Sequence, residues 1–369
     1  MLSRLIRPAI PFVLIAAIGA SWATEPPADG GRADRPAKET GGFADTRQGD
    51  VPEGSAELIN SETERAIEES LVWLAKTQQS DGSFGGGIYR GNIAVTSLAA
   101  LAFMANGSSP GRGPFGKEIE RALGYVLDNT ARTGFINVPN AASYGPMYSH
   151  GFGTLFLAEA YGMTHRPEIG EKLRDAVRLI LGCQNNEGGW RYQPVPADAD
   201  LSVTVCQINA LRAARNAGIY VPKETVEKCI KYVKMSQNDD GGFRYQLSAG
   251  GGSAFPRSAA GVVALYSASI YDSKEVDRGV AYLRRHIPGR SSHMNLNNFY
   301  FYGHYYAAQA MWIRGGDDWT AWYPAIRDEL LRRRSSRGVW NDGACDEYGT
   351  AMAAIILQIP YNHLPIFQR

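Results

Sequence analysis

The 369-residue chain is poor in several features on which whole classes of fold and function depend. Its cysteines number only four, Cys183, Cys206, Cys229 and Cys345, without a CxxC pair, so neither a disulfide framework nor a cysteine-rich zinc module holds it together. An excess of one charge is missing as well. Thirty-eight basic residues face 37 acidic ones for a net charge of +1, which removes the electrostatic footprint of a nucleic-acid binder. The one sustained apolar run, Pro8 to Ala20, is too short to span a bilayer comfortably, and no segment alternates apolar and polar residues for the length of a useful strand. What is present is a composition 44% hydrophobic and 11% aromatic, enough for a large core and incompatible with a disordered scaffold.

The N-terminus reads as an address. Arg4 and Arg7 precede the apolar run, and Ser21 and Ala23 supply a small-x-small cleavage site, so residues 1–23 are expected to be a signal peptide and the mature chain to begin near Thr24, the alternative being an uncleaved anchor. Export to the periplasm or beyond follows, and the lack of a cysteine after the run speaks against a lipid anchor. Residues 24–60 are Pro, Gly and charge without apolar periodicity, the composition of a disordered tether.

From residue 61 onward one register returns six times, with apolar residues at i, i+4 and i+7: Ile67, Leu71, Leu74; Ile119, Leu123, Val126; Leu173, Val177, Ile180; Val226, Ile230, Val233; Val276, Val280, Leu283; and Ile326, Leu330 with Arg333 in the last slot. Successive starts lie 50 to 54 residues apart. Three repeats then carry Gln78-Gln-Ser-Asp-Gly-Ser-Phe84, Gln184-Asn-Asn-Glu-Gly-Gly-Trp190 and Gln237-Asn-Asp-Asp-Gly-Gly-Phe243. The acid and glycine stop the first helix and reverse the chain, and the amide and ring are read as structural groups at that helix end. Second apolar stretches follow at Asn92 to Gly107, Met147 to Gly162, Asp200 to Gly218, Pro256 to Tyr271, Asn298 to Gly315 and Asp346 to Ile359, rich in small residues and also helical. The fold class is therefore all-α, six helical hairpins at about 61–111, 112–165, 166–219, 220–272, 273–318 and 319–369. An open solenoid needs a polar capping repeat, whereas the last helix, with Ala351, Met352, Ile355 and Ile356, is among the most apolar, so a closed ring is expected, second helices inside.

Those motifs resemble the QW-type repeat of the squalene cyclase and protein prenyltransferase β-subunit superfamily. The likeness spans residues 61–369, is full in repeats one, three and four, partial in six through Gly338 and Trp340, and degenerate in two and five. It implies an α/α toroid, an α6/α6 barrel with a central hydrophobic cavity. Asp198-Ala-Asp200-Leu201-Ser202 resembles the family's DxDD segment, which places Asp198 and Asp200 on its first two acidic positions and makes Asp200 the proton donor; Leu201 stands in place of the last Asp. Read from the residues alone, Asp200 caps a helix or pairs with Arg257, with Thr204 and Gln207 continuing its polar stripe.

Other candidates gather at the starts of the second helices. Phe299 to Tyr306 is dense in rings, of which Tyr300, Tyr302 and Tyr305 are candidate ligand contacts and His304 a candidate catalytic group facing the cavity mouth or a neighbouring helix. Tyr144, Tyr148 and His150 open the second repeat's inner helix, and Asp346, Glu347 and Tyr348 the sixth's, where acids complement a helix dipole. The rim they share is the expected site. The His304 segment also resembles the zinc-ligand helix of protein prenyltransferases, but Asp342 and Cys345 follow rather than precede it, so no metal or other cofactor is expected.

Three functions compete on these residues. In the first, suggested by the resemblance, an isoprenoid enters the barrel and Asp200 acts as general acid. The second, a carbohydrate-active barrel, needs two carboxylates flanking one bond, for which Asp200 and Glu347 are the available pair. The third is a non-catalytic ligand-binding or interaction module. The expected partner is a hydrophobic small molecule, with no nucleic acid, room for peripheral membrane contact, and an oligomeric state the sequence leaves open.

Overall fold

The computed structural model describes residues 52, 54–164, 166–289 and 299–368. The expected signal peptide and most of the tether lie outside them. The described residues form twelve α-helices and no strands: α1 Ser61–Thr77, α2 Ile93–Ala105, α3 Gly116–Asp128, α4 Pro146–Tyr161, α5 Pro167–Gly182, α6 Leu201–Asn216, α7 Lys223–Met235, α8 Phe255–Ser267, α9 Lys274–Arg284, α10 Tyr300–Arg314, α11 Gly316–Arg333 and α12 Asp346–Gln358.

The two helices of each hairpin differ in the way their sequences predict. Odd-numbered helices bury one stripe, in α1 the residues Ala66, Ile67, Leu71 and Leu74, and turn charge outward. Even-numbered helices are buried almost all round, as in α2 from Val95 to Ala105, and so have to lie inside. Each even helix packs on the next, and α12 returns to α2, closing the ring. Helix α1 then packs mainly on α12, so the first hairpin seals the last. The stripe residues decide the architecture. Each fully buried Leu or Ile contributes about 1.5–3 kcal/mol, whereas ion pairs such as Lys228 with Glu224 lie in solvent and decide little.

The repeated motif is the mortar between hairpins. The amides of Gln78, Gln184 and Gln237 donate to their own turns at Gly82, Gly188 and Gly241 (2.9–3.0 Å) and also to Glu118, Thr225 and Glu275 (2.8–2.9 Å) at the start of the next outer helix. Gly188 sits at φ +97°, and a Cβ there would collide with the backbone of Lys228, so only glycine fits. The backbone N–H of each motif aromatic is accepted by a hydroxyl one turn into its own inner helix: Phe84 by Thr96, Trp190 by Thr204, Phe243 by Ser258 and Trp340 by Thr350 (2.9–3.2 Å). In repeat two Ile136 replaces the aromatic, and its N–H is accepted by His150 Nδ1 (3.2 Å). Repeat six carries Arg334 where repeats one, three and four have glutamine. It bonds its own turn at Gly338 (3.0 Å) and reaches Glu69 of α1 (2.8 Å), across the closure.

Ordered chain reaches back into the segment read as tether. Ser55 is buried, Leu58 and Ile59 pack on the core, Arg327 donates to the Leu58 carbonyl (2.6 Å), and Asn60 caps α1. No helix among the described residues is long and apolar enough to cross a membrane.

Candidate functional site

The N-terminal ends of the even helices share one rim, and Asp200 is its buried acid. It is the N-cap of α6: Oδ1 accepts the Val203 N–H (2.9 Å) and the Ser202 hydroxyl (2.8 Å), while Oδ2 accepts the Tyr245 hydroxyl (3.3 Å) and lies 3.7 Å from Arg191 Nε. Burial raises its carboxyl above the ordinary range, against the pull of those donors and of Arg191. Arg191 also pairs with Asp198, and the Tyr245 hydroxyl meets that of Tyr192, so Asp198 and Asp200 share one guanidinium. Arg257, the partner expected for Asp200, is engaged elsewhere. It donates to the carbonyls of Phe243 (3.0 Å) and Gly252 (2.6 Å), because the first turn of α8 faces its own repeat's reversal.

Below the rim, side chains of α10 reach over the interior. The Tyr302 hydroxyl donates to the Ser202 carbonyl (2.9 Å), the Tyr306 hydroxyl lies 3.3 Å from Cys206 Sγ, and the Tyr305 ring meets Phe152 of α4 at 6.4 Å. Helix α8 separates α10 from α6 around the ring, and α4 is farther still, so these contacts span the lumen itself. Tyr148 packs on Tyr192 (6.1 Å), and its phenol is raised by burial and by the nearness of Asp200 and Cys206; Tyr348 is raised by burial, Asp342 and Cys206. Tyrosines from three inner helices thus surround Cys206. Burial pushes that thiol up to about 12, so it is neutral and not a nucleophile.

The structure brings Asp198, Asp200, Tyr148, Tyr302 and Tyr305 to this mouth and the lumen beneath it, and leaves the other candidates apart. His150 lies between layers, donating from Nε2 to the Ala176 carbonyl of α5 (3.2 Å) and accepting from Ile136; burial lowers it to about 4. His304 stands at the same place in α10 as His150 in α4, the fifth residue of its helix. It packs on Phe255 (4.8 Å), Tyr300 (4.5 Å) and Trp322 of outer helix α11 (6.2 Å), lowered to about 3 by burial and Arg333. Tyr300 turns the same way, beneath Arg333 (4.2 Å). Thr204 is occupied by the Trp190 N–H. The register explains all four: Thr204, His150 and His304, one turn into their inner helices, and Tyr300, one turn before His304, lie on the side of the cylinder that faces the outer layer.

Glu347 starts α12, across the ring from α6, beside Gly86 and Cys345, with no contact to Asp200. Among the described residues no three His, Cys, Asp or Glu side chains converge to hold a metal ion. Residues that sequence reasoning passed over are Arg191, Tyr192, Tyr245, Cys206 and Tyr306, whereas Tyr348 was already placed on the expected rim. A signal for three was present: Trp190-Arg191-Tyr192 and Phe243-Arg244-Tyr245 repeat an aromatic-Arg-Tyr pattern in consecutive motifs. Outside Asp200 lies a surface hollow of about 250 Å³ lined by Arg191, Tyr192, Gln193, Val195, Ala197 and Asp198.

Comparison with known proteins agrees with this architecture. The type II terpene cyclase MstE from Scytonema, in its apo form, superposes with a TM-score of 0.57 at 13% identity, covering 82% of this chain and 99% of the other. A variant of MstE bound to geranylgeranyl dihydroxybenzoate gives 0.54 at 12%, covering 84% and 99%. An inactive variant of an alpha-1,6-mannanase of Salegentibacter sp. HEL1_6, bound to alpha-1,6-mannotriose, gives 0.57 at 10%, covering 80% and 98%. At these identities the likeness establishes the fold alone. No curated protein matches the sequence closely enough to count as a relative. The family described as the prenyltransferase alpha-alpha toroid domain matches residues 53–244 and 147–287, more than half of the chain, and the chain belongs to that family.

Proposed function

We propose that the protein is an exported, isoprenoid-handling toroid enzyme that takes a hydrophobic chain in its tyrosine-lined mouth and uses Asp200 as general acid. One observation carries the reading: a single buried carboxyl, raised by burial, stands at a mouth where tyrosines from α4, α10 and α12 converge. Protonation of an alkene breaks the O–H bond of Asp200, forms a C–H bond and leaves a carbocation beside a carboxylate. Aromatic faces such as Tyr148 and Tyr302 stabilise such a cation, and burial keeps water from quenching it. A terpene cyclase shares the fold, and that neighbour's bound substrate carries a geranylgeranyl chain. The paired-carboxylate alternative is less well supported, because Glu347 is directed to Gly86 and Cys345 rather than toward Asp200.

A non-catalytic ligand-binding toroid is the second reading, favoured by the capping role of Asp200 Oδ1 and by the side chains that meet across the lumen. One experiment separates the two. Protein secreted from its native host is analysed by mass spectrometry for retained small molecules and then incubated with polyprenoids of graded length. The enzyme reading expects retention by wild type and by Asp200→Asn, with conversion only by wild type. Retention without conversion in both supports the binding toroid, and no retention with no effect of Asp200→Asn ends both isoprenoid readings. N-terminal sequencing of the secreted form tests export, with Thr24 as the expected first residue.

A further inference from the structure

The opposite opening of the barrel is covered by the chain's own last residues. After α12 come short 3₁₀ turns at Ile359–Tyr361 and Pro365–Phe367, and the second packs on α6 and α10 with Leu364, Ile366 and Phe367 buried. His363 bonds the Ala105 carbonyl at the end of α2 (3.1 Å), Arg212 of α6 donates to the Gln368 carbonyl, and Glu159 of α4 faces the Ile366 amide. Residues 362–368 thus bridge the C-terminal ends of four inner helices.

The floor beneath this segment is not apolar. Glu159 and Arg212 are each only 4% exposed, no direct ion pair joins them, and Glu159 Oε2 and Arg212 Nε have no hydrogen-bond partner. A permanently closed end would be cheaper to build from aliphatic side chains, since both groups give up hydration without full replacement. Burial, opposed by the Ile366 amide and Arg212, raises the Glu159 carboxyl to about 8. The other titratable or charged groups around the pair are Tyr305 of α10, Arg215 of α6 and Tyr271.

We propose that residues 362–368 are a releasable stopper of the barrel's C-terminal opening, latched by Arg212 and Glu159, and that loss of the Glu159 proton drives its release. Lifting the segment rehydrates Glu159 and returns it to the ordinary carboxylate range. The closed form therefore holds the proton more tightly than the open one. Between about pH 4.5 and about pH 8, each unit of rising pH shifts the equilibrium toward the open form about tenfold. Below that window the stopper gains nothing more, and above it nothing more is lost.

The test is amide hydrogen exchange of Ile366 and Phe367 in the full chain at pH 5 and pH 7, with rates corrected for the intrinsic pH dependence of exchange. Protection of both amides is expected to fall about a hundredfold over those two units. Glu159→Gln is expected to abolish the dependence, and His363→Gln, which removes the segment's own histidine, to preserve it. Protection in wild type that does not change with pH overturns the proposal without recourse to any variant. An undiminished slope in Glu159→Gln, or its loss in His363→Gln, overturns it equally.

Discussion

Replacing Asp200 separates the acid from the helix cap it forms. Its carboxylate accepts from the Val203 N–H, the Ser202 hydroxyl and the Tyr245 hydroxyl at a fully buried position. In Asp200→Ala the lost cap costs about 1 kcal/mol, and orphaned buried donors add about 1–3 kcal/mol, for a total of about 2–4 kcal/mol. Asparagine keeps an oxygen where Oδ1 caps the helix and removes a carboxyl that burial holds above its ordinary range. The side chain then no longer charges in the folded state, so the stability that this group withdraws as pH rises past the ordinary carboxylate range is restored. Against that, Arg191 loses its contact at 3.7 Å but keeps Asp198. The expected result is Asp200→Asn within about 1 kcal/mol of wild type at pH 7, and Asp200→Ala lower in Tm by roughly 3–6 °C. Thermal and urea melts followed by circular dichroism measure both. If Asp200→Asn falls as far as Asp200→Ala, the anionic carboxylate itself stabilises the fold, and the case for a proton held on Asp200 collapses.

Three further outcomes follow from the repeat geometry. Gly188→Ala forces a Cβ into the Lys228 backbone at positive φ and should cost about 3 kcal/mol or more, whereas Gly218→Ala, at φ +87° in open space, should cost about 1 kcal/mol; equal losses in urea melts contradict the steric account. Thr204→Val strands the Trp190 N–H and should cost about 1–3 kcal/mol, with Thr204→Ser recovering most of it, so failure of serine to rescue points to the methyl group instead. His150, lowered to about 4, is neutral when folded, so its contribution is complete above the ordinary histidine value and is lost as pH falls from about 6.5 to about 4, to a total of about 3 kcal/mol. His150→Thr, the residue found at this register in other repeats, should flatten that part of the urea-midpoint profile between pH 7 and 4.5; an unchanged slope rules out His150 as its source.

The architecture was legible because it rests on local, repeated features. Stripes such as Ile67, Leu71 and Leu74 identify an outer helix, the all-round apolarity of α2 identifies an inner one, and Gly82, Gly188 and Gly241 mark the reversals. The structural role of the motif glutamines could be read likewise, since an amide at a helix end meets unsatisfied backbone wherever the chain turns. Even the capping of α6 by Asp200 follows from position alone.

The site was harder to read because it depends on angle and on long-range neighbours. Spacing put His150 and His304 near the starts of inner helices, but only the packing of α4 on α5 and of α10 on α11 turned them toward the outer layer, at the register used elsewhere by Thr204 and Ser258. The partner of Asp200 was likewise a tertiary choice. Arg191, Tyr192 and Tyr245 come from the reversals of repeats three and four, which closing the ring brings side by side, while Arg257 stays with its own turn. What the amino-acid order determined alone was the set of helices and the faces they must hide, because burial of a stripe is a property of one helix. Which polar side chains meet was decided when those helices closed around a common axis, for a hydrogen bond between residues 45 or 100 positions apart has no local cause.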